Sequence, residues 1–127
     1  MPILTELNLR LPNSPGALAA VSELLSQARV NIHALLLEPS GRLRLVVDNH
    51  VHAIGTLRDA HHQVQERLVL ALSVPNGSGG LAPAARLVAD AGVNVEYAYV
   101  GLAPDRPGVL VVLGVDDAQR AAASAGV

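Results

Sequence analysis

The stretch "LPNSPGALAAVSELLSQARVNI" (11–32) returns 63 positions later as "VPNGSGGLAPAARLVADAGVNV" (74–95). Aligned without a gap, positions 12–31 and 75–94 agree at nine of twenty: Pro, Asn, Gly, Leu, Ala, Leu, Ala, Val and Asn. A duplication this long predicts two copies of one structural unit, each built by the same local physics. With 127 residues to divide, the copies are very small domains, expected at 1–66 and 67–127, and must lean on a shared interface.

Within the first copy, "ILTELNLRL" (3–11) alternates. Ile3, Thr5, Leu7, Leu9 and Leu11 form a dry side, and Leu4, Glu6, Asn8 and Arg10 a mostly wet one. "PNSPG" turns the chain, with Ser14 as expected N-cap and Pro15 as first helical residue. Leu18, Val21, Leu24, Leu25 and Ala28 recur at helical spacing, predicting an amphipathic helix over 15–28. Strands are expected at 30–38 and 42–48 around the "PSG" turn, a helix at 50–60, and an extended run at 63–74.

The second copy repeats the order. Leu68, Leu70, Leu72 and Val74 form the dry side of its first strand. A helix follows over 80–91 with Gly92 as left-handed terminator, then strands at 94–101 and 108–115. The last helix, "DDAQRAAASA" (116–125), takes Asp116 or Asp117 as its cap. Each half reads β-α-β-β-α, the order of a ferredoxin-like α+β sandwich with helices on one face of an antiparallel sheet. After Ala125 only "GV" remains, so the second copy lacks a fourth strand of its own. Its first strand would be a bare edge, and a dimer partner or the first half is expected to cover it. Both faces of "NVEYAYVG" (94–101) are largely apolar, as are those of "VNIHALLLE" (30–38), which predicts sheets covered on both sides.

Composition removes several function classes. Net charge is −2, and all nine cationic residues are Arg, which argues against a nucleic-acid protein with a basic stripe. There is no cysteine, hence no disulfide or thiolate metal site. No apolar run reaches the roughly 18 residues of a membrane span, and "MPILTELNLR" lacks a signal-peptide layout. A cytoplasmic protein with no membrane association is expected. His50 and His52 are two apart, and His61 and His62 adjacent. Neither spacing places two ligands on one helical face, so they predict surface or capping roles without a metal. No serine sits in a glycine elbow, and "GSGG" (77–80) lacks the Lys of a phosphate loop. No enzyme and no cofactor is expected.

The pattern "NSPGALAAVSELLSQARVNI", together with "LVVDNHVHAIGTLRDAHHQV" and "VLGVDDAQRAAASAGV", resembles the ACT domain, in two tandem copies covering nearly the whole chain. The resemblance implies side-by-side regulatory modules that bind a small molecule, most often an amino acid, where two copies meet. It implies that the loop before the first helix of one copy meets the segment after that helix in the other. The residues so implied are Asn13, Ser14, Pro15, Gly16, Ala17 and Leu18, with Asn31 and Ile32, in the first copy. In the second they are Asn76, Gly77, Ser78, Gly79, Gly80 and Leu81, with Asn94 and Val95. Asn13 then pairs with Asn94, and Asn76 with Asn31. A helix N-terminus suits a carboxylate, and an Asn amide serves either end of a zwitterion. His33 is a further candidate at the ligand interface.

This sequence departs from the pattern in places. Leu11 and Val74 stand where a serine-type site carries a histidine. "NGSGG" is looser than "NSPG", and Pro83 lies in the first turn of its helix, so the two sites are expected to be unequal. "DRPG" (105–108) spells the family's ligand loop but lies between strands, and is expected to be a hairpin turn. The resulting expectation is a stand-alone, homodimeric amino-acid sensor that signals through oligomeric state or a protein partner. The alternative is an interaction module of the same fold without a ligand.

Overall fold

The computed structural model describes residues 2–103 and 107–127. Ten elements follow in chain order: β1 (Ile3–Arg10), α1 (Ala17–Gln27), β2 (Ile32–Leu37), β3 (Arg42–Val47), α2 (His50–Asp59), β4 (Gln65–Val74), α3 (Leu81–Asp90), β5 (Val95–Leu102), β6 (Val109–Val115) and α4 (Ala118–Ala125). This is the α+β, twice-repeated βαββα order of the ferredoxin-like sandwich. The chain divides into two compact units, Thr5–Arg67, and Leu68–Val127 joined by the chain's start through Leu4.

In the Thr5–Arg67 unit the strands run in the order β2-β3-β1, all antiparallel. The register sets Leu7 opposite Leu45 and Leu9 opposite Leu43. Residues paired across a ladder share a sheet face, so the alternation in β1 and β3 builds one apolar surface. Val21 and Leu25 of α1 and Ala53, Ile54 and Leu57 of α2 close over it. Fully burying each such leucine contributes roughly 1.5–3 kcal/mol before entropy is counted. The other face is a correction to the sequence reading. Glu6 and Asn8 are 0% and 6% exposed, not wet. Glu6 is held by Arg44 at 3.4 Å and by the Asn8 amide at 2.9 Å, while Arg44 also grips Glu38 at 2.8 Å. Burial of that carboxylate is tolerable because its lone pairs are met.

In the second unit the order is β4-β6-β5, again antiparallel. Leu70 opposes Leu113 and Leu72 opposes Val111. Val88 of α3 and the small Ala118, Ala121 and Ala122 of α4 complete that core. Leu68, expected on the dry side, is 43% exposed. Val69, Ala71, Leu110, Val112 and Tyr99 on the opposite side are buried too, but Val100 on β5 and Leu35 and Leu37 on β2 are exposed, so the two strands expected to be covered on both faces are not. The edge of β4 meets the chain's own beginning: the Ala71 N–H donates to the Pro2 carbonyl at 2.7 Å, and Ile3 packs on this unit's core. Tyr97 and Tyr99 stack with centroids 6.3 Å apart. A side chain at Gly114 would fall inside the Tyr97 ring, so any larger residue there requires that ring to move.

All four helices end alike. The Val30, His62, Val93 and Val127 N–H groups reach back to the Leu25, Leu57, Val88 and Ala122 carbonyls, each the 6→1 bond of a Schellman motif. The preceding residue is left-handed in every case: Arg29 (φ 60), His61 (φ 72), Gly92 (φ 73) and Gly126 (φ 74). Asn49 and Asp117 cap α2 and α4, accepting from the His52 and Arg120 N–H groups at 3.2 and 3.1 Å. Ser14 does not cap α1. Gly16 occupies the cap at φ 84, ψ −4, the third-residue dihedrals of a type II turn. Ala17 N–H donates to the Ser14 carbonyl at 3.3 Å, so Pro15-Gly16 makes a turn ahead of the helix where a Ser14 hydroxyl cap was expected. Of the "DRPG" turn, Asp105 and Arg106 lie outside the described residues, while Leu102 and Val109 pair on either side of it. Among the described residues no helix is long and apolar enough to cross a membrane.

Candidate functional site

The type II turn determines what the first copy's loop can do. It brings the chain into α1 with Asn13, Ser14 and Pro15 exposed and leaves Leu18 and Ala19 at the helix start. Ala17 N–H is taken by Ser14, and Ala20 N–H by Gly16 at 2.9 Å. Among the described residues nothing accepts from the Leu18 or Ala19 N–H. These are the free donors expected at a helix N-terminus. Both residues line a hollow of about 460 Å³ with Asn13, Ser14, Gly16 and Ala17, a size suited to a small metabolite. Its far wall is the turn between β2 and β3, Leu37–Glu38–Pro39 and Gly41. Those wall residues were missed from the sequence, where "PSG" signalled only a hairpin.

The second copy's loop is shaped differently. Gly80 caps α3 in the right-handed region (φ −76), and a side chain there would collide with the Pro75 carbonyl. Asn76, Gly77, Ser78 and Gly79 are exposed, and Leu81 is 52% exposed. Gly79, which aligns with Gly16, is not left-handed as Gly16 is, so the two loops differ in backbone conformation where Pro15-Gly16 has become Ser78-Gly79.

Asn94 lies beyond α3 in a hollow of about 380 Å³ with Glu96, Asp116, Asp117 and Arg120, and the neighbouring Val95 is 37% exposed. The first copy shows the matching arrangement in hydrogen bonds: Asn31 N–H donates to Asp48 Oδ1 at 3.0 Å, and Asp48 N–H to the Asn31 carbonyl at 3.1 Å. Asp48 and Asp116 each follow the third strand of their copy. That shared place was the signal available in the sequence. Ile32 is half-buried against the core, and His33 sits at the β-bulge of β2. His52 meets the Ala28 carbonyl at 3.0 Å, closing the end of α1.

Inside one unit the two asparagines are not brought together. Asn13 precedes α1 and Asn31 follows it, and eleven helical residues rise about 16 Å. The loop end offers N–H donors and an amide; the far end offers carboxylates and an amide.

The profile of the ACT domain matches residues 5–64. Among solved structures, protein BT0572 from Bacteroides thetaiotaomicron is similar at 27% identity and a TM-score of 0.82, over 97% of this chain and 86% of that one. The regulatory subunit of aspartate kinase from Thermus thermophilus aligns at 18% identity and a TM-score of 0.63, over 96% and 88% of the two chains. Aspartokinase III from E. coli, solved with lysine and aspartate, aligns at 18% identity and 0.54, over 94% of this chain and 29% of that one. No curated protein matches the chain by sequence. Residues 5–64 thus match the ACT domain, a regulatory module, and the second half of the chain repeats the same order of elements.

Proposed function

We propose that the protein is a regulatory sensor for a small amino acid or a related metabolite. The observation that carries this reading is the hollow before α1, where the unpartnered Leu18 and Ala19 N–H groups and the Asn13 amide line one space of about 460 Å³. An α-carboxylate placed there meets two backbone donors and the positive end of the helix. The α-ammonium is met by the other kind of segment, the amide and carboxylates around Asn94 or Asn31. Because those segments lie a helix length from the loop of their own unit, the proposal pairs Asn13 with Asn94 and Asn76 with Asn31. Affinity of roughly micromolar to millimolar, about 4–8 kcal/mol, suits a metabolite sensor. Signalling then passes through oligomeric state, with a homodimer as the working form, or through a protein partner.

A thermal-shift panel of the common amino acids tests this, since a ligand that binds only the folded state raises the melting temperature. One or a few small amino acids are expected to stabilise the protein by several degrees. Asn13→Ala with Asn94→Ala removes the shift if the first site carries it, and Asn76→Ala with Asn31→Ala does so for the second. No shift with any amino acid sinks the sensor in favour of a ligand-free interaction module. A shift untouched by both pairs retains the sensor and discards these residues.

A further inference from the structure

The geometry points to a second ligand site on the Thr5–Arg67 unit, one for a small molecule bearing a phosphate group. A hollow of about 450 Å³ is lined by Asn8, Arg10, Arg42, His61, His62 and Gln65, among others, with no carboxylate among its residues. It shares no residue with the Asn13 hollow.

Three observations converge on it. Arg10 and Arg42 are direct cross-strand partners at the end of the β1–β3 ladder, and like charges placed opposite each other are destabilising. Next along that ladder the chain handles the same problem differently: Arg44, opposite Asn8, is bound by Glu38 and Glu6. Among the described residues Arg10 and Arg42 meet no carboxylate, and Arg10 Nη1 donates instead to the Ser40 carbonyl at 2.9 Å. Finally, His61 is held left-handed (φ 72) at a helix end where the second copy places Gly126. It places an imidazole on the wall of this hollow at a helix end where the second copy has no side chain.

The donor set selects the ligand. Two guanidiniums on adjacent strands present planar forks that match phosphate oxygens, and two imidazoles and the Gln63 and Gln65 amides add further hydrogen-bonding capacity, the Asn8 amide being already engaged with Glu6 and Arg44. A monocarboxylate would satisfy one fork and leave the other charge uncompensated, whereas a phosphate dianion engages both. The volume admits a nucleoside monophosphate or a sugar phosphate as well as the free ion.

Titration calorimetry with inorganic phosphate and with a nucleoside 5′-monophosphate, at constant ionic strength set by sodium chloride, provides the test. Saturable binding is expected for at least one probe, weakened tenfold or more in R10Q and again in R42Q. Binding by both probes assigns the site to the phosphate group itself; binding by the monophosphate alone adds a contribution from the attached group. A second readout is thermal: without anion, each substitution is expected to raise the melting temperature by relieving the like-charge pair. No saturable heat from either probe up to about 10 mM, a range that covers affinities weaker than 4 kcal/mol, overturns the assignment. So does binding undiminished in both variants.

Discussion

Arg29 and His61 hold a conformation that costs a side-chain-bearing residue about 1–2 kcal/mol, and Gly92 and Gly126 hold the same one without that cost. Replacing Arg29 by glycine relieves the strain but returns part of the gain as chain entropy in the unfolded state. Arg29→Gly is therefore expected to stabilise the fold by roughly 0.5–1 kcal/mol, read as a melting temperature higher by about 2–4 °C. An unchanged or lowered melting temperature would show that the Arg29 side chain makes up for its backbone. The left-handed turn at Gly92 was legible in the sequence because glycine marks that conformation. At Arg29 and His61 nothing local marks it; the 6→1 bonds from Val30 and His62 impose it. Ser14 shows the converse, since its type predicts a cap while Gly16 beside it makes a type II turn available and takes the position.

Strand β1 carries two patterns at once. Its alternation correctly foretells that Leu7, Leu9 and Leu11 enter the core, because a period of two is a property of the extended backbone alone. Its polar set misleads, since Glu6 is fully buried and its Arg44 partner comes from 38 residues away on β3. Removing one member of such a pair strands a charge in low dielectric. Arg44→Met is expected to cost about 3–5 kcal/mol in denaturant-induced unfolding, while Glu6→Met combined with Arg44→Met costs less than Arg44→Met alone. Equal losses in the single and double variants would mean that Arg44 acts through packing. At the helix starts, α4 takes Asp117, one of its two candidate caps, and α2 takes Asn49, a cap that the sequence reading does not name.

For the whole molecule, the beginning of the chain stabilises its second half. Pro2 accepts from Ala71, and Ile3 packs on the core that Leu70, Val111 and Leu113 build. One hydrogen bond at about 1 kcal/mol and partial burial of an isoleucine together contribute roughly 2 kcal/mol or more. Deleting residues 2–4 is thus expected to speed exchange of the Ala71 amide on the order of 30-fold, with little change at Leu45 in the other unit. Uniform acceleration at both amides would instead indicate that the units open together. The order and type of all ten elements and the core-facing leucines other than Leu68 could be read from residue order, because each rests on spacings of two to four positions, and the duplication shows as identity at a 63-residue offset. The face buried around Glu6, the strand end beside Ala71, the opposed Arg10 and Arg42 and the walls of the three hollows could not. Each joins residues far apart along the chain, and nothing in a local period specifies which distant segment will come to lie alongside.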